Sequence, residues 1–420
     1  MAAFRVALGA GGAVAAARFV ERGWVDRLLV APSYHFTYPG LGWVRPLPMA
    51  GMYAVFAAMV VAALAFAVGW MPRWSAAVFT VAFVYVEAID AATYLNHYEL
   101  VTLLGVLGVV LPFPGRGGAA RSVVPAGAVW LLRFQLGVVY VFAGLGKVDV
   151  NWLVHGEPLH TWLRGRTDLP LVGPVLGAPW VAVLLSWAGA AFDLSVVAFL
   201  LWRRTRPWAY GAVVAFHLAT ALLFPAIGVF PFLMITLTPI FFDPDWPDRV
   251  GVRFGTRTSA AVAGPRPSAA MSRPAVCFAA VWILVQLVVP LRHLAYPGDV
   301  RWTEEGYRWS WRVLLTEKEG VATFMVTDPV SGRTRTVFPG DELAPFQSKA
   351  MSTRPDLVRQ YAHHLADEAV ARGEARPEVR VDAWVAIAGL PRARLMDPSV
   401  DLAAEPLGIG PADDIEPSPL

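Results

Sequence analysis

This sequence is short of charge, of lysine and of cysteine. Only 16% of its 420 residues are charged, while 56% are hydrophobic, and the mean hydropathy is +0.50. That balance excludes an ordinary soluble globular protein and suits a chain that lies largely in lipid. A net charge of +3 is too small to indicate nucleic-acid binding. The single cysteine, Cys277, sits in an apolar run, so no intrachain disulfide can form. There is no Walker loop, no Gly-x-Ser-x-Gly elbow and no His-x-x-x-His or His-Glu-x-x-His pair. Phosphate cradles, the hydrolase elbow and a zinc site are therefore not indicated, and no metal is expected. His363 and His364 read as solvated residues on a soluble helix.

What lysine there is stands out. Of 35 basic side chains all but three are arginine, and Lys318 and Lys349 lie in the polar C-terminal part. Lys147 is alone in roughly 300 largely apolar residues, at the end of the run Val123–Val148. Arginine keeps its proton in proteins, whereas a desolvated lysine can lose it. Two readings stay open: a titratable amine, or a lysine snorkelling from a helix end to the interface.

Apolar segments fall at about 6–20, 49–70, 74–95, 98–112, 125–147, 178–202, 208–224, 226–242 and 275–296. They predict an all-α polytopic membrane bundle of about eight to nine hydrophobic segments over residues 1–297. Segment 98–112 is short for a crossing and reads as tilted or broken. Seventeen tryptophans fit interfacial aromatic belts. If the loops alternate sides, one side collects Arg73, Arg116, Arg121, Arg203, Arg204, Arg206, Arg249, Arg253, Arg257, Arg266 and Arg273. The positive-inside rule makes that side cytoplasmic. Asn96, His97, Lys147 and everything after 297 then emerge on the opposite face. The interval Thr258–Arg273 reads as a flexible loop.

Residues 298–407 read as a soluble α+β domain on the extracytoplasmic side, followed by a disordered tail, 408–420. Gly320–Thr327 and Arg333–Phe338 alternate around Asp328–Gly332, a hairpin signal. Pro355–Ala371 reads as an amphipathic helix and Glu378–Ala386 as another strand.

Polar residues inside the spans are the functional candidates, because ionisable groups at membrane depth are costly unless paired or hydrated. Glu87, Asp90, Tyr94 and His97 step by three and four and are expected on one helix face. Arg133, Gly137, Tyr140, Gly144 and Lys147 form a second such face, and Ser186, Ala190 and Asp193 a third. His217 stands in an apolar run with Thr220 near it. A structural network involving Arg133 and Asp193 is the plain alternative, and a transporter using Glu87 and Asp90 is another.

Several phrases resemble one family. Tyr94-Leu-Asn96-His97-Tyr-Glu-Leu resembles the Asn-Asn-His turn of vitamin K-dependent gamma-glutamyl carboxylases, and Ala143-Gly-Leu-Gly-Lys147-Val-Asp149-Val-Asn-Trp152 resembles their Ala-Gly-x-x-Lys-Leu-Asp segment. Phe216-His217-Leu, Leu223–Pro231, Phe242–Pro247, Trp309-Ser-Trp311, Val381–Val385 and Met396–Asp401 continue the likeness in the same order. The loop Glu21–Pro48 is similar to that of the related horizontally transferred transmembrane (HTTM) proteins. The resemblance implies a reduced vitamin K (hydroquinone) that reacts with O2 to an epoxide. That oxidation yields a strong base, which removes a glutamate γ-proton before CO2 adds. It implies Lys147 as the base for the hydroquinone, His97 in the carboxylation half and His217 as a further functional histidine. Asn96, with Tyr140 and Trp311, would hold the quinone. The implied partners are a glutamate-containing peptide or protein and the lipid and quinone of a bacterial plasma membrane.

The chain departs from the animal enzymes in places. It ends soon after Asp401, Arg312 follows Trp311 where they carry an acidic residue, and Gly146 precedes Lys147 where they carry a second lysine. Part of the polypeptide-binding apparatus is thus expected to be missing, and a clotting-factor propeptide is not expected as partner. The quinone half of the reaction is better supported than carboxylation. A quinol epoxidase without carboxylation, or a non-catalytic membrane protein or transporter of the same fold, remains as an alternative.

Overall fold

A computed structural model describes residues 1–116, 124–253 and 270–420. Arg121, Arg257, Arg266 and most of the Thr258–Arg273 interval lie outside the described residues.

The N-terminal part is helical. Its main helices are α1 (Ala2–Glu21), α2 (Met49–Val68), α3 (Pro72–Ile89), α4 (Asn96–Val110), α5 (Ala126–Gly146), α6 (Pro179–Leu201), α7 (Arg206–Leu223), α8 (Phe230–Leu237), α9 (Trp246–Arg253) and α10 (Arg273–Val288). Local chemistry sets several ends. Gly69 closes α2 in the left-handed conformation at φ 78°, a cap that glycine adopts without strain. Proline occupies the first turn of α3, α6, α7 and α10, where its missing N–H costs nothing. Helices α1 to α4 pack in sequence, and α5 packs along α6.

Among the described residues, five helices are long and apolar enough to cross a membrane: Ala2–Glu21, Met49–Val68, Ala126–Gly146, Pro179–Leu201 and Arg273–Ala295. Asn96–Val110 and Phe230–Phe241 are shorter apolar helices. The expected count of eight to nine is therefore not reproduced as full-length spans, since α3 and α7 are helical but fall outside that set. At 15 residues, α4 rises only about 22 Å, against a hydrocarbon core of about 30 Å.

One expected helix face does not exist. Helix α3 stops at Ile89, and Asp90 is extended at φ −144°, ψ 112°. The Asp90 side chain accepts from Ala92 N–H at 2.8 Å, starting a 3₁₀ turn, Ala91–Thr93, and α4 begins only at Asn96. Glu87, Asp90, Tyr94 and His97 thus do not share one helix. An aspartate offers the backbone an alternative to the helix ladder, and tertiary bonds fix that choice. Gln347 Nε2 donates to Asp90 Oδ2 at 2.7 Å, and His35 Nδ1 lies 3.3 Å from the same oxygen.

The C-terminal part is a four-stranded antiparallel sheet in the order β2-β1-β3-β4, formed by β1 (Lys318–Thr327), β2 (Thr334–Val337), β3 (Glu378–Ile387) and β4 (Ala393–Arg394). The hairpin, the strand and the helix expected at 355–371 are all present. Helices α11 (Pro345–Met351) and α12 (Pro355–Ala371) cover the sheet, burying Leu357, Val358, Tyr361 and Leu365 against Phe324, Val379, Val381 and Val385. Phe36, Ala91 and Ala92, from between the membrane helices, enter the same core. Lys318 is buried there and donates to the Trp302 and Thr353 carbonyls and to Glu304. Burial lowers its pKa from the ordinary lysine value, against the pull of Glu304.

Two polar readings are corrected. The segment 408–420 is ordered onto the domain. Ile415 bridges Met396, Trp302 Nε1 donates to Glu416 O at 2.7 Å, and buried Asp414 pairs with Arg359. Its composition suggested a disordered tail, but Asp414 finds a partner in Arg359. His363 and His364 are likewise engaged: His363 Nε2 meets Glu405 O at 2.7 Å and His364 Nε2 meets Glu342 Oε1 at 2.6 Å. His364, Glu342 and Glu368 bring potential ligand atoms within 4.8 Å of one another.

Candidate active site

The end of α5 carries Lys147, and its amine turns inward. The residue is 5% exposed. Nζ donates to Asp193 Oδ2 at 2.8 Å and to Ala143 O at 3.2 Å, and lies 5.2 Å from the centre of the Trp152 ring. This is a buried ion pair, not a snorkelling chain. Close approach of α5 and α6 makes it possible. A Cβ on Gly144 would come within 3.0 Å of Leu194 N and closer still to the Leu194 side chain, next to Asp193. Trp152 rides on a short turn that Asp149 starts by accepting from Asn151 N–H, and its Nε1 donates to Ser186 O at 2.8 Å.

Deeper along α5, Tyr140 Oη lies 3.0 Å from His217 Nε2 on α7. If the phenol is the donor, Nδ1 carries the ring proton. Among the described residues that Nδ1 is buried without a partner, as are Ser186 Oγ and Trp311 Nε1. An unpaired buried polar atom is costly unless something else meets it. His97 joins this region through an aromatic ring: Phe230 lies 5.8 Å from His97 and 6.1 Å from His217, centroid to centroid.

The segment Trp309–Leu315 closes the C-terminal-domain end of the site. Asn96 Nδ2 donates to Arg312 O at 3.3 Å, and a Cβ on Gly146 would meet Leu315 Cδ1 at 2.6 Å. The same strap therefore touches the residues beside His97 and beside Lys147. Trp309, Trp311 and Leu314 hold φ values of 64°, 56° and 57°, a conformation that costs a non-glycine residue about 1–3 kcal/mol and persists only where the surroundings enforce it. Trp311 is 1% exposed and shares a core cluster with Tyr140 and Phe230.

The structure thus links Tyr140 to His217 by a direct bond, His217 to His97 by one shared ring, and Asn96 to Gly146, the residue before Lys147, by the strap that carries Trp311. Arg133 is apart. It caps the Ile240, Phe241 and Phe242 carbonyls, fourteen residues before Lys147 and so about 21 Å along the helix. Asp90 and Glu87 are also outside the site, and Glu87 accepts from Thr102 Oγ1 at 2.5 Å. Sequence reasoning did not single out Glu99. It accepts from Tyr94 Oη at 2.8 Å and lines a cleft of ≈ 340 Å³ with Trp282, Gln286 and Trp309. Its place one helical turn after Asn96 was the only signal.

A membrane-embedded helical bundle with a buried lysine–aspartate pair, capped by a small α+β domain, defines the class. Residues 1–246 match the HTTM domain, and residues 271–415 match the vitamin K-dependent gamma-carboxylase, lumenal domain. The chain belongs to the vitamin K-dependent gamma-glutamyl carboxylase family. No solved structure matches it.

Proposed function

We propose that this protein is an integral membrane, vitamin K hydroquinone-dependent gamma-glutamyl carboxylase with epoxidase activity, acting on a glutamate-containing peptide or protein. The observation that carries the reading is the buried Lys147 amine, held by Asp193 two turns along α5 from Tyr140, whose hydroxyl meets His217, a histidine whose other ring nitrogen is unpartnered among the described residues. The polar atoms at hand suit a flat aromatic diol. Tyr140, His217, Ser186 and Trp311 offer hydroxyl, imidazole and indole groups among Phe192, Phe216 and Phe230.

Vitamin K hydroquinone supplies the oxidisable ring that O2 converts to the epoxide. This chain's residues handle protons and exclude water. Lys147, once neutral, takes a phenolic proton. The apolar helix wall keeps water from quenching a strong base. His97 serves the carboxylation half, where an imidazole can carry a proton or stabilise a developing carboxylate. Asn96, Tyr140 and Trp311 position the quinone. The cleft beside Glu99 and Trp309 borders α10, whose span is only 11% buried, and serves as the entry from lipid. Residues 298–420 form the extracytoplasmic domain, on the opposite face of a bacterial plasma membrane from the arginine-rich loops.

The ion-relay alternative rests on Glu87 and Asp90. Asp90 is engaged by Ala92 N–H, Gln347 and His35, which weighs against it. The reading is tested by supplying reduced vitamin K and a glutamate peptide to purified protein, with epoxide and fixed CO2 measured separately. Both products are expected. Epoxide without fixed CO2 on any glutamate substrate leaves an epoxidase, and neither product leaves a non-catalytic protein.

A further inference from the structure

We propose that Asp193 is the group that receives the resting proton of Lys147, so that the amine can act as a base. This rests on the reading of Lys147 given above. A protonated amine cannot accept a further proton, and the recorded geometry is that of an ion pair with Nζ 2.8 Å from Oδ2. The proton must leave Nζ before a phenol can give one up. The pair is sealed: both side chains are 6% exposed, and the amine's other neighbours are the Ala143 carbonyl and the Trp152 ring. Neither of those takes a proton. Among the described residues, Asp193 is the one recorded partner that does.

Charge balance gives the second argument. Ammonium and carboxylate sum to zero. Transfer along the hydrogen bond breaks one N–H bond and forms one O–H bond on Asp193, and the sum stays zero. The neutral amine then takes the hydroquinone proton. One phenolic O–H breaks, one N–H forms, and the phenolate stands beside an ammonium and a neutral carboxylic acid. The site has no net charge at any stage. Were Asp193 still ionised, the last stage would carry an uncompensated negative charge at membrane depth, which is costly. Other groups facing the pair are Tyr140, within electrostatic reach of Asp193, His217 behind it, and Ser186, two turns before Asp193 on the same helix face. Asp193 does not touch the substrate in this scheme. It is a positioning and proton-holding residue.

Asp193→Asn keeps the shape and an acceptor oxygen but cannot hold the proton. Epoxide formation should fall by roughly 100-fold or more in kcat, with the quinol KM little changed. The residual rate should climb with pH as hydroxide replaces the missing acceptor. Asp193→Glu should recover part of the loss. Asp193→Asn with wild-type kcat and pH profile would overturn the proposal. Should that variant fail to fold, Asp193→Ser is assayed in its place, since a hydroxyl can hydrogen-bond the amine but cannot hold its proton. A lost kcat with a rate that rises with pH supports the proposal, and a wild-type kcat and pH profile overturn it. Failure of the Lys147 reading itself shows separately, as activity retained in Lys147→Arg.

Discussion

Tyr140 on α5 and His217 on α7 meet at 3.0 Å in the interior of the helical part, and the other His217 ring nitrogen has no partner among the described residues. The pair joins helices α5 and α7 through a polar contact at the candidate ligand-binding site. Tyr140→Phe leaves His217 with both ring nitrogens unmet and should cost about 1–3 kcal/mol of stability. Epoxidation should suffer through a raised quinol KM more than through kcat, measured by initial rates against quinol concentration.

Gly144 is predicted to be intolerant of a side chain. A Cβ there reaches into Leu194 and its backbone, so Gly144→Ala must push α5 from α6 at the place where Lys147 meets Asp193. Overpacking of this kind costs about 1–3 kcal/mol. The variant should melt earlier in detergent and lose epoxidation, whereas Gly211→Ala, in open space, should do neither.

Asp90 is predicted to act as a latch between the two parts of the chain. Asp90→Ala leaves the Ala92 N–H unmet and takes one of the two acceptors of Gln347 Nε2, the Tyr34 carbonyl remaining, and should cost about 1–3 kcal/mol, read as a lower melting temperature. Ion-dependent uptake into vesicles should be absent in wild type and variant alike. Uptake lost on mutation would favour the transporter reading.

The membrane orientation is checked by labelling. Single cysteines at Arg204 and Lys349, both exposed, are placed in a Cys277→Ala background. An impermeant reagent added to intact cells should modify the Lys349→Cys site and spare Arg204→Cys. Equal labelling of both would contradict the arginine-based orientation.

Acid should loosen the C-terminal domain. The hydrogen bond from His364, against the opposing effect of burial, holds the Glu342 pKa below its ordinary 4.5. A depressed folded-state pKa gives stability that is fully present above 4.5 and is lost as pH falls through the folded value. His364→Ala should therefore flatten the loss of melting temperature measured below about pH 4.5.

Much of this was legible in the sequence, for identifiable reasons. Lys147 stood out because the chain otherwise writes arginine, and the hairpin and Pro355–Ala371 followed from plain periodicity. Asp193 was visible as an intramembrane acid, but its partner lies 46 residues away, and no local pattern carries that pairing. The apparent Glu87–His97 face failed because Gln347, 257 residues further on, holds Asp90 out of the helix. The last residues misled in the same way: Asp414 reads as solvated until Arg359 is placed beside it.

The central claim is that the Lys147 amine is a base. Lys147→Arg tests it most directly, because arginine keeps the charge facing Asp193, and with it the scaffold, yet cannot give up its proton. The variant is purified in detergent, its melting temperature is compared with wild type, and vitamin K epoxide is measured after adding hydroquinone and O2. The account predicts a folded protein that forms essentially no epoxide. A folded Lys147→Arg protein that forms epoxide at a near-normal rate would contradict it.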